Sequence, residues 1–341
     1  MPRGALAGES GGMLSAANVA ATLTLPVMPP FHLEGTVRLL QRQPSNRVDA
    51  WDRGRYLRVL PTVQGLRLLA VENLGTIDAP DLRAHVLGGS VTTSTLEELR
   101  RILTRILGLA VDPAPFAQAA RDLSPLRIAV NALRGVRPPR FPTLFETLAN
   151  VIPFQQVSLA AGVAVVGRIV ERFGQPLSLD QHVFPAFPTP ESVAVTEANQ
   201  LHALGLSRAK ATTLHELARR VLSGDLSEDR LGVLSTEAAM ETLTAVPGIG
   251  PWSAGLILLR GFRRLEVFPA GDVGAARNLA RLLGLERHTR LSDLQPSIEQ
   301  MGDAKGWLYF YALGWRLLEQ GLITPAPEAV RGRIVGPLRP A

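Results

Sequence analysis

The stretch Leu243-Thr-Ala-Val-Pro-Gly-Ile-Gly-Pro-Trp-Ser-Ala254, with Val267-Phe-Pro-Ala-Gly-Asp-Val273 shortly after it, decides how this chain folds. Ahead of it Ala239, Leu243 and Val246 recur at helical spacing, and Ser235 or Thr236 can cap that helix. Pro247-Gly-Ile-Gly250 then breaks it, because proline lacks the N–H and glycine tolerates positive φ. Pro251 suits the first turn of a new helix, which is predicted to run through Leu259 to a stop at Gly261. The pattern is helix, tight glycine hairpin, helix. The backbone N–H groups of Gly248 and Gly250, beside a helix N-terminus, make a small anion site where a phosphate fits without any base being read.

Taken alone, Gly-x-Gly reads first as a turn between two packed helices. The sequel adds to it. Asp272 sits in a Pro/Gly-bounded loop ahead of another helical run, 273–283, where the helix dipole favours an ionised carboxylate. By itself Asp272 reads as a plain N-cap.

A Pro-Gly-Ile-Gly hairpin followed at this distance by Phe-Pro-x-x-Asp resembles the helix-hairpin-helix DNA glycosylases, and among them the DNA-3-methyladenine glycosylase II group, which acts on alkylated bases. The resemblance continues in Phe145-Glu-Thr-Leu-Ala-Asn-Val-Ile-Pro-Phe-Gln-Gln-Val-Ser158 and Leu204-Gly-Leu-Ser-Arg-Ala-Lys210. It covers roughly residues 141–314, and more loosely reaches back to about Phe31. Four motifs in the family's order make it specific.

The 341 residues are enough for two domains, and 46% hydrophobic with 19% charged residues indicates a soluble globular protein. Lys+Arg exceed Asp+Glu by 36 to 30, and the pI is near 10.5, which permits a polyanionic partner without demanding one. Lys210 and Lys305 are the only lysines, so nearly all positive charge is arginine. Without cysteine there is no disulfide, thiolate nucleophile, zinc–thiolate site or cysteine-ligated iron–sulfur cluster. Six scattered histidines show no H-x-x-x-H spacing; neither metal nor cofactor is expected. The start lacks a basic segment followed by a long apolar run, and no apolar stretch reaches the length of a membrane span. The expected setting is the cytoplasm, associated with the nucleoid.

Residues 1–25, rich in Gly, Ala and Ser at the outset, are expected to be a mobile extension. Residues 26–112 read as an α+β domain built on an antiparallel sheet. Arg55-Tyr-Leu-Arg-Val-Leu60, Leu66-Arg-Leu-Leu-Ala-Val71 and Leu82-Arg-Ala-His-Val-Leu87 are its strands, 37–41 a short helix, and 95–107 an amphipathic helix with Ser94 and Glu97 as a capping box. From 113 to 323 strand signals nearly vanish. Helices are predicted at 116–123, 125–133, 144–152, 157–173, 191–203 and 209–223, then around the hairpin, and finally at 294–300 and 306–320. The fold class is therefore a mainly α helix-hairpin-helix core, two helical subdomains flanking a cleft, preceded by the α+β domain. Residues 175–190 read as a long loop inside it, and 324–341 as a tail.

The resemblance assigns roles. Asp272 matches the catalytic carboxylate: breaking an N-glycosidic bond develops positive charge on the deoxyribose, which a carboxylate stabilises while positioning or deprotonating water. Alkylated bases already carry positive charge and leave readily, so one carboxylate suffices. Relatives that also nick the strand carry a Schiff-base lysine two residues after the second hairpin glycine. Here that residue is Trp252, which has no amine, and the implied enzyme is monofunctional. Trp252 can line the base pocket, stacking on a cationic base, or sit in the core. Gln156 falls at the position that plugs the gap left by a flipped nucleotide. Phe154, Gln155 and Tyr311, with Trp252, are the expected pocket lining, near Trp307 and Tyr309. The DNA-binding set is Gly248, Ile249, Gly250, Gln156, Arg208 and Lys210. Arg260, Arg263 and Arg264 are further phosphate candidates, and Arg277 a candidate brace for Asp272. The family's Trp-x-Pro-x-Arg-x-Tyr-Ala is replaced by Lys305-Gly-Trp-Leu-Tyr-Phe-Tyr-Ala312, which leaves the base preference open.

The implied function is monomeric base-excision repair on damaged double-stranded DNA, releasing alkylated purines. The alternatives are a non-enzymatic hairpin DNA binder and a glycosylase for deaminated or oxidised bases.

Overall fold

The computed structural model describes residues 18–327 except 270, 287 and 288. Strands β1 (Val19–Leu25), β2 (Ala50–Asp52), β3 (Arg55–Thr62), β4 (Gly65–Asn73) and β5 (Leu82–Leu87) form an antiparallel sheet in the order β1-β5-β4-β3-β2. Successive side chains point to opposite faces, and here both faces are covered. Tyr56, Leu60, Leu69, Val71, Leu82, Ala84 and Val86 pack under the helices Leu33–Gln41 and Thr93–Leu107. Leu57, Val59, Leu68, Ala70 and Leu87 meet a second, two-stranded unit, β6 (Pro176–Leu179) and β7 (His182–Pro185), through Leu177, Leu179 and Phe184.

That hairpin occupies the segment expected to be a long loop. Its Pro and Phe content reflects packing on the sheet, not a solvated connection. The chain thus returns from the helical region to complete the first unit. Two further expectations change at the N-terminal side. β1 pairs along β5 within the stretch predicted as extension, and residues 1–17 of that stretch lie outside the described residues. The helix Thr93–Leu107 starts two residues earlier than predicted, with Thr92 in place of Ser94 as its cap, its side chain accepting from the Thr95 N–H at 3.3 Å. Of the predicted tail, residues 328–341 lie outside the described residues.

The helical region has two cores, as the predicted two-subdomain class requires. One gathers Leu148, Ile169, Leu214, Leu217, Leu243 and Ile257 from helices between Leu144–Ala149 and Pro251–Ile257, including Glu228–Val233, which carries no long periodic pattern. The other gathers Phe116, Leu126, Leu279, Leu308 and Phe310, from the helices Ala114–Ala119, Ser124–Ala132, Val273–Leu282 and Lys305–Glu319. Leu39 of the helix Leu33–Gln41 enters this second core, so the first unit is welded to it. The second hairpin helix does not stop at Gly261. At Leu258 it widens into a π-helical turn, Leu258–Phe262, closed by Arg263 at φ 57. A cleft runs between the two helical lobes, and the hairpin and Asp272 both open onto it.

Candidate functional site

The hairpin is built by steric necessity. Ser235 caps the helix Thr236–Thr244, its hydroxyl accepting from the Ala238 N–H at 3.2 Å. Gly248 has φ +86, and a Cβ there would lie 2.3 Å from Oγ1 of Thr213 on the helix Arg208–Ser223; both the dihedral and the close approach demand glycine. Ile249 is only 3% exposed and anchors the turn in the first lobe's core. Its expected place in the DNA-binding set is therefore corrected: its side chain holds the turn from beneath. Gly248 and Gly250 stay exposed, with Gly250 as the N-cap of Pro251–Ile257.

Asp272 and the hairpin form one unit. Asp272 caps the helix Val273–Leu282, and its Oδ1 accepts from the Ala275 N–H at 2.7 Å. Its other oxygen, Oδ2, accepts from the Trp252 indole N–H at 3.0 Å. The two oxygens thus have different partners, one the backbone of the helix that Asp272 caps and the other the Trp252 indole. Trp252, on the first turn of the second hairpin helix, is half-buried against the first lobe's core and also lines the cleft. Arg277 lines the cleft as an exposed side chain; the brace on Asp272 is Trp252.

The segment after the short turn Ile152–Phe154 is tied down on two sides. The Gln155 amide nitrogen donates to the Gly248 carbonyl at 2.8 Å and to the Ser253 hydroxyl at 2.9 Å, joining this loop to the hairpin. The Lys210 ammonium donates to the carbonyls of Gln155 and, at 3.4 Å, Pro153; partial burial lowers its pKa. Gln155 and Lys210 thus brace the loop against the hairpin while both also line the cleft. Gln156 is different. It is exposed, lines the cleft and takes φ 54, an uncommon conformation for a non-glycine residue that aims it away from the segment's own core. Arg208 begins its helix as an exposed residue, outside the set that lines the cleft.

The cleft encloses about 1790 Å³, and Phe154, Gln156, Trp252, Asp272, Tyr309 and Arg42 stand along it. Tyr311 does not. It is 2% exposed, with its ring 4.6 Å from Phe116 and 6.0 Å from Trp307, its hydroxyl donates to the Val136 carbonyl at 3.5 Å, and burial raises its pKa well above the usual tyrosine range. Residues two apart on a helix point about 200° apart, so of Tyr309 and Tyr311 only one can face the cleft. Trp307, stacked on Phe116 at 5.1 Å, is likewise core.

Of the arginines offered as phosphate contacts, Arg260 is buried and Arg263 and Arg264 are half-buried. Arg260, fully buried, donates to the Leu39 carbonyl at 2.9 Å. Arg263 donates to the Pro138 carbonyl at 2.8 Å, and Arg264 to the Leu234 carbonyl at 2.6 Å. Much of the excess positive charge thus serves packing between elements. Conversely, Arg42, which no sequence pattern marks, reaches the cleft from the N-terminal unit.

Residues 149–295 match the HhH-GPD superfamily base excision DNA repair protein family. The chain is 31% identical over 211 residues to DNA-3-methyladenine glycosylase 2 of Escherichia coli (strain K12), covering 60% of this chain and 72% of the relative. It is 27% identical over 222 residues to the DNA-3-methyladenine glycosylase of Bacillus subtilis (strain 168), covering 65% and 73%. Against a Mycobacterium tuberculosis relative described as a probable bifunctional transcriptional activator/DNA repair enzyme, identity is 29% over 277 residues, 79% of this chain but 52% of that protein's length. The solved 3-methyladenine DNA-glycosylase from Archaeoglobus fulgidus superposes with a TM-score of 0.71 at 25% identity, over 87% of this chain and 98% of that one. With the hairpin, the capped aspartate and the lobe architecture in place, the chain belongs to the HhH-GPD superfamily of base excision DNA repair proteins.

Proposed function

We propose that this protein is a monofunctional DNA glycosylase that hydrolyses the N-glycosidic bond of alkylated purines of the 3-methyladenine type, releasing free base and leaving an abasic site. The observation that carries the reading is the Asp272 carboxylate, with Oδ2 held on the cleft side by the Trp252 indole at 3.0 Å. The exposed backbone of Gly248 and Gly250 receives a phosphate. Gln156 enters the gap in the duplex while the damaged nucleotide swings into the cleft past Phe154, Trp252 and Tyr309. As the C1′–N bond stretches, Asp272 stabilises the positive charge on the sugar and orients the water that adds to C1′. The bonding electrons pass to the base nitrogen, and an alkylated cationic base leaves neutral.

No amine stands at the position of Trp252, and the Lys210 ammonium is occupied by backbone carbonyls, so water is the nucleophile and the strand stays whole. The protein acts as a monomer on chromosomal DNA in the cytoplasm. The test is incubation with methylated duplex DNA, scoring free base, strand integrity and borohydride trapping together. Free base with an intact strand and no trapped complex is the expected result. Trapping or direct nicking contradicts the monofunctional reading, and binding without release favours a non-enzymatic hairpin protein.

A further inference from the structure

Arg42 closes the helix Leu33–Gln41 in an unusual conformation, φ 59 and ψ −37, with its N–H donating to the Arg38 carbonyl at 2.8 Å. Such a conformation in a non-glycine residue costs free energy and persists where the surroundings hold it, often at functional positions. The side chain is 6% exposed and lies in the wall between the main cleft and a smaller apolar cavity of about 220 Å³. Its guanidinium carbon is 4.6 Å from the Phe154 ring centre and 5.5 Å from that of Phe141. Among the described residues Nη2 has no hydrogen-bond partner although it is buried. Asp49, a carboxylate on its own unit that acts on it electrostatically, is engaged by Tyr56 at 2.7 Å and by Arg58 at 2.5 Å. A buried guanidinium without its own carboxylate is costly, and two aromatic faces offset only part of that cost.

We propose that Arg42 is a specificity-determining residue of the base pocket, whose buried positive charge sets how the site divides its rate between bases that leave neutral and bases that leave as anions. The inference rests on the glycosylase reading above. Water forms the O–C1′ bond and gives up a proton through Asp272 to solvent, while the C1′–N9 bond breaks and its electron pair goes to N9. A purine cationic through alkylation departs uncharged and gains nothing from a nearby cation, which opposes its entry. An uncharged purine, such as the deaminated base hypoxanthine, departs with negative charge that a buried guanidinium stabilises. Burial and the neighbouring Arg260 lower the Arg42 pKa to about 9, opposed by Tyr309, Asp49 and Asp272, so the group keeps its proton at neutral pH. The other arginines along the cleft, Arg277, Arg281 and Arg316, are all more open to solvent, and Arg281 is paired with Glu319. On this account the N-terminal unit contributes directly to substrate choice.

The test compares single-turnover rates at saturating enzyme on duplexes containing 7-methylguanine or hypoxanthine, for wild type, Arg42→Gln and Arg42→Lys. The ratio of the hypoxanthine rate to the 7-methylguanine rate should fall by about tenfold or more in Arg42→Gln, the scale of one unit charge at short range in a partly desolvated site. Arg42→Lys, which keeps the charge, should hold the ratio to within about threefold on the same basis. Equal losses on both substrates, or an unchanged ratio in Arg42→Gln, would overturn the inference, since a merely structural arginine cannot move the ratio. Wild type that releases 7-methylguanine but no hypoxanthine overturns it as well, and leaves the glycosylase reading standing. Wild type inert on both overturns the two together.

Discussion

The Trp252 indole nitrogen donates to Oδ2 of Asp272 at 3.0 Å, joining the hairpin directly to the carboxylate at the edge of the cleft. With the Ala275 N–H on Oδ1 at 2.7 Å, that bond fixes the carboxylate between its own helix and the hairpin helix. Trp252→Phe keeps the ring and removes the donor. The base-release rate should drop roughly tenfold to a hundredfold, with duplex affinity little changed. Single-turnover release alongside fluorescence anisotropy checks this, and an unchanged rate would show that Asp272 needs no such support.

Gly248 carries two constraints at once: φ +86 and a site 2.3 Å from Thr213 Oγ1 for any added Cβ. Gly248→Ala should destabilise the protein by about 2 kcal/mol, read from urea unfolding, and weaken binding to undamaged duplex. Adding Thr213→Gly should recover only the steric part, because the dihedral strain remains.

Tyr309 and Tyr311 should separate cleanly by assay. Tyr311→Ala opens a void against Phe116 and Trp307 and should cost about 3 kcal/mol or more. Tyr309→Ala should alter base release with a much smaller stability change. Similar stability losses in both variants would contradict the orientation of the helix Lys305–Glu319.

A buried ionic network joins the sheet to the helix that leads into the Gln156 loop. Arg58 donates to Asp49 at 2.5 Å and to both Glu146 oxygens at 2.6 and 2.7 Å. Burial first, and Asp49 after it, raise the Glu146 pKa to about 7, against the pull of Arg58. Because the folded value lies above the unfolded one of 4.5, the folded state holds an extra proton between them, and that stabilisation is lost as pH rises toward 7. Relative to Glu146→Gln, wild type should therefore lose about 1–3 kcal/mol between pH 5 and pH 8. Urea unfolding of both proteins at the two pH values measures it, and a pH-independent difference would contradict the raised pKa.

The hairpin and Asp272 were legible because their chemistry is local: Pro-Gly-Ile-Gly breaks a helix by its own dihedral and donor requirements, and an aspartate before a helical run caps it. The Trp252 position was legible too, though its partner was not. Residues whose roles depend on what lies across space were hidden. Gln155 and Lys210 look like solvent or DNA contacts until the loop and hairpin are seen side by side. Arg260, Arg263 and Arg264 look like surface charge because no sequence pattern marks which arginine will cap distant carbonyls. Arg42 was invisible for the same reason, more than 200 residues from the carboxylate whose cleft it shares. The β6–β7 hairpin escaped because four-residue strands flanked by prolines carry little alternation, and their apolar side chains find the sheet only in the folded chain.

The most direct measurement is quantitation of free 7-methylguanine released from a methylated duplex by wild type and by Asp272→Asn, with duplex binding measured in parallel. The substitution keeps the side-chain shape and its capping oxygen while removing the charge. The expected result is release by wild type, a loss of about a thousandfold or more in the variant, and binding by both. Release by Asp272→Asn at near the wild-type rate would contradict the assignment of Asp272 as the group that stabilises the breaking bond.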